Sequence, residues 1–162
     1  MNTVKLIAFY ALFAATSVAF AHNSEHAPNT AIVKEQKEWG IAGVARDVKR
    51  TVRISMSDDM RFTPDNINVK QGETIRLVIS NKGVDLHELV IGTLAELDAH
   101  AALMVKFPNM EHDEPYMAHV VSGKTSQLIW TFNRVGTFHF ACLIEDHYQS
   151  GMVGQIRVTA AP

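Results

Sequence analysis

The sequence predicts an all-β fold, a Greek-key β-sandwich of about seven or eight strands that carries one helix-containing insertion. Three observations predict it. Apolar and polar residues alternate over several short stretches, as they do in strands buried on one face only. Turn-forming groups such as Gln71-Gly72, Asn81-Lys82-Gly83 and Asn133 to Gly136 separate those stretches at close spacing. Only one segment, near 94–106, changes to a helical period, and closely spaced strands with a single helix favour an antiparallel sandwich over an α/β fold.

Lys5 is the only charge in segment 1–21, an apolar run follows from Leu6 to Phe20, and Ala19-Phe20-Ala21 supplies a small-residue cleavage site. That order describes a secretory signal peptide. The alternative, an uncleaved membrane anchor, is disfavoured by the polar His22-Asn23-Ser24-Glu25 that follows at once. Cleavage after Ala21 leaves an exported chain with no stable membrane anchor, beginning at His22. Residues 22–50 are polar and lack a sustained period, which predicts a mobile N-terminal tail that becomes anchored near Trp39.

The sandwich domain is expected over 51–162. Val52, Ile54 and Met56 alternate with Thr51, Arg53 and Ser55, so a half-buried strand starts near Thr51. Phe62-Thr63-Pro64 and Ile67-Asn68-Val69 suggest two short extended pieces, and Ile75, Leu77 and Ile79 the inward face of another strand. A further strand includes His87 to Ile91, and one more carries Leu128, Trp130 and Phe132. Phe138, Phe140 and Cys142 share one parity, so Cys142 points into the core while His139 points away from it. Met152, Gly154, Ile156 and Val158 alternate likewise and open a final strand at Met152.

The insertion is expected over about 92–121. Thr93-Leu94-Ala95-Glu96 fits a capping box, and Leu94, Leu97, Ala101 and Met104 lie at helical spacing, which predicts a helix from about Leu94 to Lys106, ended by Pro108.

Composition narrows the function. A formal net charge of −2 with 20% charged residues leaves no basic patch suited to nucleic acid, so the partners are small ions or proteins. Export makes the lone Cys142 informative, because exported chains usually store cysteines as disulfide pairs and this one has no partner within the chain.

Cys142, His147 and Met152 form C-x4-H-x4-M between two predicted strands, with His87 far upstream in another. A thiolate and two imidazoles in a trigonal plane with a weak axial thioether suit copper that shuttles between Cu(I) and Cu(II). Each residue alone has a plainer use in core or surface; their joint occurrence at one loop points to a single type 1 copper site. His87 is assigned by position, since His100 falls in the predicted helix and His139 faces outward.

The segments Asp58-Asp59-Met60-Arg61-Phe62-Thr63-Pro64, Val69-Lys70-Gln71-Gly72-Glu73-Thr74, His87-Glu88-Leu89 and Cys142 through Met152 resemble the periplasmic copper-tolerance cupredoxins known as CopI, within the plastocyanin/azurin-like group. The resemblance covers about Trp39 to Val158. It implies the cupredoxin fold, a periplasmic location, copper ligation by His87, Cys142, His147 and Met152, and a role in surviving excess copper. Many members of the wider group carry Asn after the first histidine, where this chain has Glu88, and its Cys-to-His spacing is longer than plastocyanin's. Both departures imply a copper perturbed from blue toward green.

Two further copper-handling surfaces are candidates. Met110, His112, Met117 and His119 combine thioethers and imidazoles in a stretch expected to be loop, suited to Cu(I). After cleavage His22 would join a free α-amine to its own imidazole, with His26 close by. The plainer readings are a lid whose methionines cover the sandwich and a solvated tail.

The leading function is copper tolerance by binding copper and relaying electrons or Cu(I), with a periplasmic redox or copper-transport protein as partner. The alternative is a dedicated electron carrier between redox enzymes. An enzyme is not expected: multicopper oxidases need His-x-His pairs absent here, a binuclear centre needs two cysteines, and only slow oxidation of Cu(I) at the site stays open.

Overall fold

The structure, a computed structural model, describes residues 34–107 and 113–161. Along these residues lie β1 (Ile41–Ala42), β2 (Val48–Ser57), β3 (Arg61–Thr63), β4 (Asn66–Lys70), β5 (Glu73–Asn81), β6 (His87–Gly92), α1 (Leu94–Lys106), β7 (Met117–Val120), β8 (Thr125–Phe132), β9 (Gly136–Ala141) and β10 (Val153–Thr159). They build two five-stranded sheets, ordered β1-β8-β5-β2-β3 and β4-β10-β9-β6-β7. The expected sandwich is present, with two corrections to its detail.

The first concerns strand number and placement. Ten strands occur among the described residues rather than seven or eight. β1 is too short for alternation to reveal it, and Met117-Ala118-His119, expected as loop, forms β7 against β6. The second concerns direction. β2 runs parallel to β5, and β4 parallel to β10, in a sheet pattern expected to be antiparallel. Alternation records which face of a strand is buried and carries no information on the direction of its neighbour.

The buried faces are those the alternation indicates. Ile75, Leu77 and Ile79 of β5 face Phe140 and Ile156 of the other sheet in one apolar core, and all five are fully buried. Each such side chain contributes roughly 1.5–3 kcal/mol through removal from water. The Phe62 ring on β3 meets the Phe140 ring edge to face at 4.9 Å, joining the sheets near the end where the ligand loop emerges. Phe140 also lies across Gly154, its partner in the β9–β10 register. A Cβ at Gly154 would collide with that ring.

Trp39 ties the segment before β1 to the sandwich. Its side chain is buried, its carbonyl accepts a hydrogen bond from Trp130 Nε1 at 3.0 Å, and β1 pairs with β8 just beyond it. β2 starts at Val48, slightly before the alternation becomes readable at Thr51, because Val48 already pairs with Thr74 across a bulge.

Helix α1 has the predicted bounds and capping box, with the Thr93 side chain accepting from the Glu96 N–H and the Glu96 carboxylate reaching back to Thr93. Leu97, Ala101 and Met104 pack on Val90, Met117, Ala141 and Leu143, on the face of the second sheet turned away from the main core. Leu94 is exposed, so the buried stripe begins at Leu97, three residues later than the spacing suggests.

Replacing Gly154 by Ala will press a methyl group into the Phe140 ring, and overpacking of this kind costs about 1–3 kcal/mol. Urea unfolding of Gly154→Ala should show a lower midpoint with an unchanged slope; an unchanged midpoint would refute this account of the packing.

Candidate metal centre

Three segments distant in sequence deliver three donor side chains to one end of the sandwich. His87 opens β6 facing the core, Cys142 follows the last residue of β9, and His147 lies in the loop between β9 and β10. One ligand atom from each lies within 4.8 Å of the other two, and all three residues are buried. Cys142 Sγ stands 3.3 Å from His147 Nδ1, and the two imidazole rings are 4.9 Å apart between centroids.

Backbone hydrogen bonds hold the loop in shape. The Cys142 N–H donates to the Met152 carbonyl at 3.1 Å, and the Met152 N–H donates to the His147 carbonyl at 3.0 Å. Met152 is fully buried in the same apolar cluster as Cys142, directly before β10. Gly151, at φ +90°, makes the turn that admits it. Arg61 Nη1 donates to the Ser150 carbonyl at 3.1 Å and Tyr148 Oη to Asp98 Oδ1 at 2.6 Å, so β3 and α1 both grip the loop. Burial and the Asp98 carboxylate push the Tyr148 hydroxyl up to about 12, so it remains a donor.

The donor set fits a thiophilic metal ion. His87 Nε2 lies 3.0 Å from Asp58 Oδ1, while its Nδ1 is buried without a hydrogen-bond partner. A buried ring nitrogen left unpaired is costly, and a metal is the partner that suits it. Burial pushes the Cys142 thiol up to about 12, although the backbone N–H groups of Glu88 and Ile144 pull in the opposite direction. An adjacent cation reverses that balance, since a coordinating thiol is deprotonated outright. A thiol, two imidazoles and a thioether in a dry enclosure are the soft and intermediate donors that copper takes.

Two residues of the centre were not singled out as functional by sequence reasoning. Asp58, in the turn after β2, accepts the Val84 N–H at 2.8 Å as well as meeting His87. These bonds, that of Val84 foremost and then that of His87, hold its carboxyl below the ordinary range. Glu88, noted only as a departure from a common Asn, is fully buried. Its N–H donates to Cys142 Sγ at 3.3 Å, its Oε1 accepts the Leu143 N–H at 2.9 Å, and its Oε2 lies 2.8 Å from His119 Nε2. The only sequence signal for either was the presence of a carboxylate beside strand-end motifs.

The other candidate residues are placed differently. His119 sits on β7 against Glu88, and Met117, two residues earlier on the same strand, is buried under α1 among apolar side chains. Met110 and His112, like His22 and His26, lie outside the described residues. So do the predicted signal peptide and Pro108. His139 faces away from the main core as expected but is half-buried, and that burial holds its imidazole below the usual range.

A family model of the copper binding proteins of the plastocyanin/azurin family matches residues 48–159. The chain therefore belongs to the plastocyanin/azurin family of copper-binding proteins. Within that family it is similar to "Copper-resistant cuproprotein CopI" of Rubrivivax gelatinosus, at 44% identity over 94% of both chains. The protein of the same name from Pseudomonas aeruginosa is 32% identical over 74% of this chain and 82% of its own. Among solved structures, auracyanin B superposes with a TM-score of 0.61 at 21% identity, covering 74% of this chain and 96% of its own. The dithionite-reduced auracyanin of Roseiflexus castenholzii gives 0.59 at 20%, covering 71% and 99%. These last two likenesses establish the shared sandwich.

The Glu88 carboxylate raises the His119 imidazole above its ordinary 6.5. The fold therefore binds the protonated ring more tightly than the unfolded chain does. That contribution is complete below 6.5 and is lost as pH rises through the raised value. In urea titrations of the metal-free protein at a series of pH values, the stability advantage over His119→Gln should shrink across that window. An advantage independent of pH would contradict the assignment.

Proposed function

We propose that this chain is an exported periplasmic protein of copper tolerance, which holds one copper at a type 1 site of His87, Cys142, His147 and Met152 and relays electrons or Cu(I). The observation that carries the reading is the convergence of Cys142 Sγ and ring nitrogens of His87 and His147, with His87 Nδ1 buried and unpartnered. When bound, copper supplies one-electron chemistry between Cu(I) and Cu(II).

The chain's own residues supply the rest. Cys142 and the two histidines would offer the strong donors, and the Met152 thioether would offer a weak one that tunes the couple. The backbone bonds from Cys142 and Met152 hold those donors in place in either oxidation state, which keeps reorganisation small. Apolar core around Cys142 and Met152 keeps water from the sulfurs. The names of the CopI relatives and the order of charge, apolar run and small-residue site in segment 1–21 support the tolerance role and the periplasmic location.

The test is an optical spectrum with copper stoichiometry on the chain that begins at His22. An intense visible thiolate-to-Cu(II) band is expected, and Cys142→Ser should abolish it; survival of the band would reject the site. Met152→Leu should retain copper while shifting its potential, whereas His147→Ala should lose most of the metal. Cells carrying Cys142→Ser as their only copy should become copper-sensitive. Unchanged tolerance alongside loss of the band would favour the dedicated electron carrier, and stoichiometry above one would place copper at further sites.

A further inference from the structure

The turn that follows β2 reaches over the metal centre from outside the ligand set. Asp58, its first residue, places Oδ1 at 3.0 Å from His87 Nε2, and the same carboxylate accepts N–H bonds from Val84 at 2.8 Å and Asp85 at 3.4 Å. Gly83 leaves the space it occupies, since a Cβ there would run into Oδ1. Asn81, buried, braces the same loop through the Val120 and Asp85 carbonyls and the Gly83 N–H. The carboxylate is thus pinned from several sides while its histidine is fully enclosed and the acid itself remains one-third exposed.

An ionised carboxylate can only accept, so a neutral His87 must carry its proton on Nε2 and keep the lone pair on Nδ1, the atom without a partner. Without that acceptor the other tautomer would compete, and Nδ1 would carry a buried N–H in place of its lone pair. The carboxylate also makes the imidazole a stronger donor. Its negative charge, one ring away from the metal, lowers the energy of the more highly charged ion.

We propose that Asp58 is a positioning residue of the metal centre: it selects the Nε2–H tautomer of His87, and its charge favours Cu(II) over Cu(I). This rests on the copper reading above. A mere loop clamp would need only the two acceptor oxygens that meet the Val84 and Asp85 N–H groups, whereas this role also needs the charge and the contact with His87.

Asp58→Asn loses the charge and keeps one acceptor oxygen, enough for His87 Nε2 and the Asp85 N–H at Oδ1 but not for the Val84 N–H at Oδ2, so the wild-type tautomer is read beside it. ¹⁵N spectra of the metal-free wild-type protein should show His87 as the Nε2–H tautomer. Asp58→Asn should keep copper and the visible band, while the Cu(II)-to-Cu(I) affinity ratio falls about tenfold, equivalent to a rise of about 59 mV in a one-electron potential. Gly83→Ala, which displaces the carboxylate without altering it, should raise the potential as well. An Nδ1–H tautomer in the wild type, or an unchanged potential in Asp58→Asn with its band intact, would overturn the proposal. Should Asp58→Asn fail to fold, the wild-type tautomer and Gly83→Ala decide. A wild-type protein with no thiolate-to-copper band would instead reject the copper reading, and this role with it.

Discussion

The backbone bond from the Cys142 N–H to the Met152 carbonyl closes the ligand loop at its base, and the geometry of the centre depends on it. It carries the β9–β10 ladder one step past the strands, so that both sulfur residues leave the sheet from adjacent positions. The Glu88 N–H then reaches Cys142 Sγ from β6 and fixes the thiol relative to the strand that begins with His87. Three donors from separate segments are therefore referenced to one sheet. Its rigidity comes from close packing across the sandwich, where Phe62, Phe140 and Gly154 meet beneath the loop.

Holding donors in a dry place without partners opposes folding, since a buried unpaired nitrogen and a buried thiol forgo their bonds to water. The surrounding residues offset this. Glu88 would be a costly buried carboxylate alone, yet Leu143 and His119 each meet one of its oxygens. The helix-containing insertion contributes directly: Leu97, Ala101 and Met104 seal the face of the sheet on which Glu88 lies, and Asp98 holds Tyr148 beside His147 of the candidate site. The insertion is thus a wall of the metal centre as well as a surface excursion. A hydrogen bond to a charged group, such as that of the Leu143 N–H to Glu88, is worth roughly 1.5–3 kcal/mol, enough to compensate one unpaired buried polar atom.

Much of this architecture was legible in the residues alone. Alternation identified the buried faces of β5, β8, β9 and β10, and the Thr93–Glu96 capping box identified α1 to the residue, because both patterns reflect strictly local geometry. The C-x4-H-x4-M spacing singled out three of the candidate donors, since a short loop between adjacent strands keeps its residues together in any register. His87 followed only by position.

What stayed hidden depended on which segments become neighbours. The parallel pairings of β2 with β5 and β4 with β10, the assignment of Met117–Val120 to a strand, and the contacts Asp58–His87 and Glu88–His119 all join residues far apart in sequence. A carboxylate reads the same in sequence whether it is solvated or pressed against a ligand histidine. The sequence by itself determined the all-β class, the buried faces, the helix and the loop donors, because each follows from the spacing of neighbours along the chain. Only the tertiary structure decided strand direction and the partners of Asp58, Glu88 and His119, because those follow from how separate strands pack, which no local period encodes.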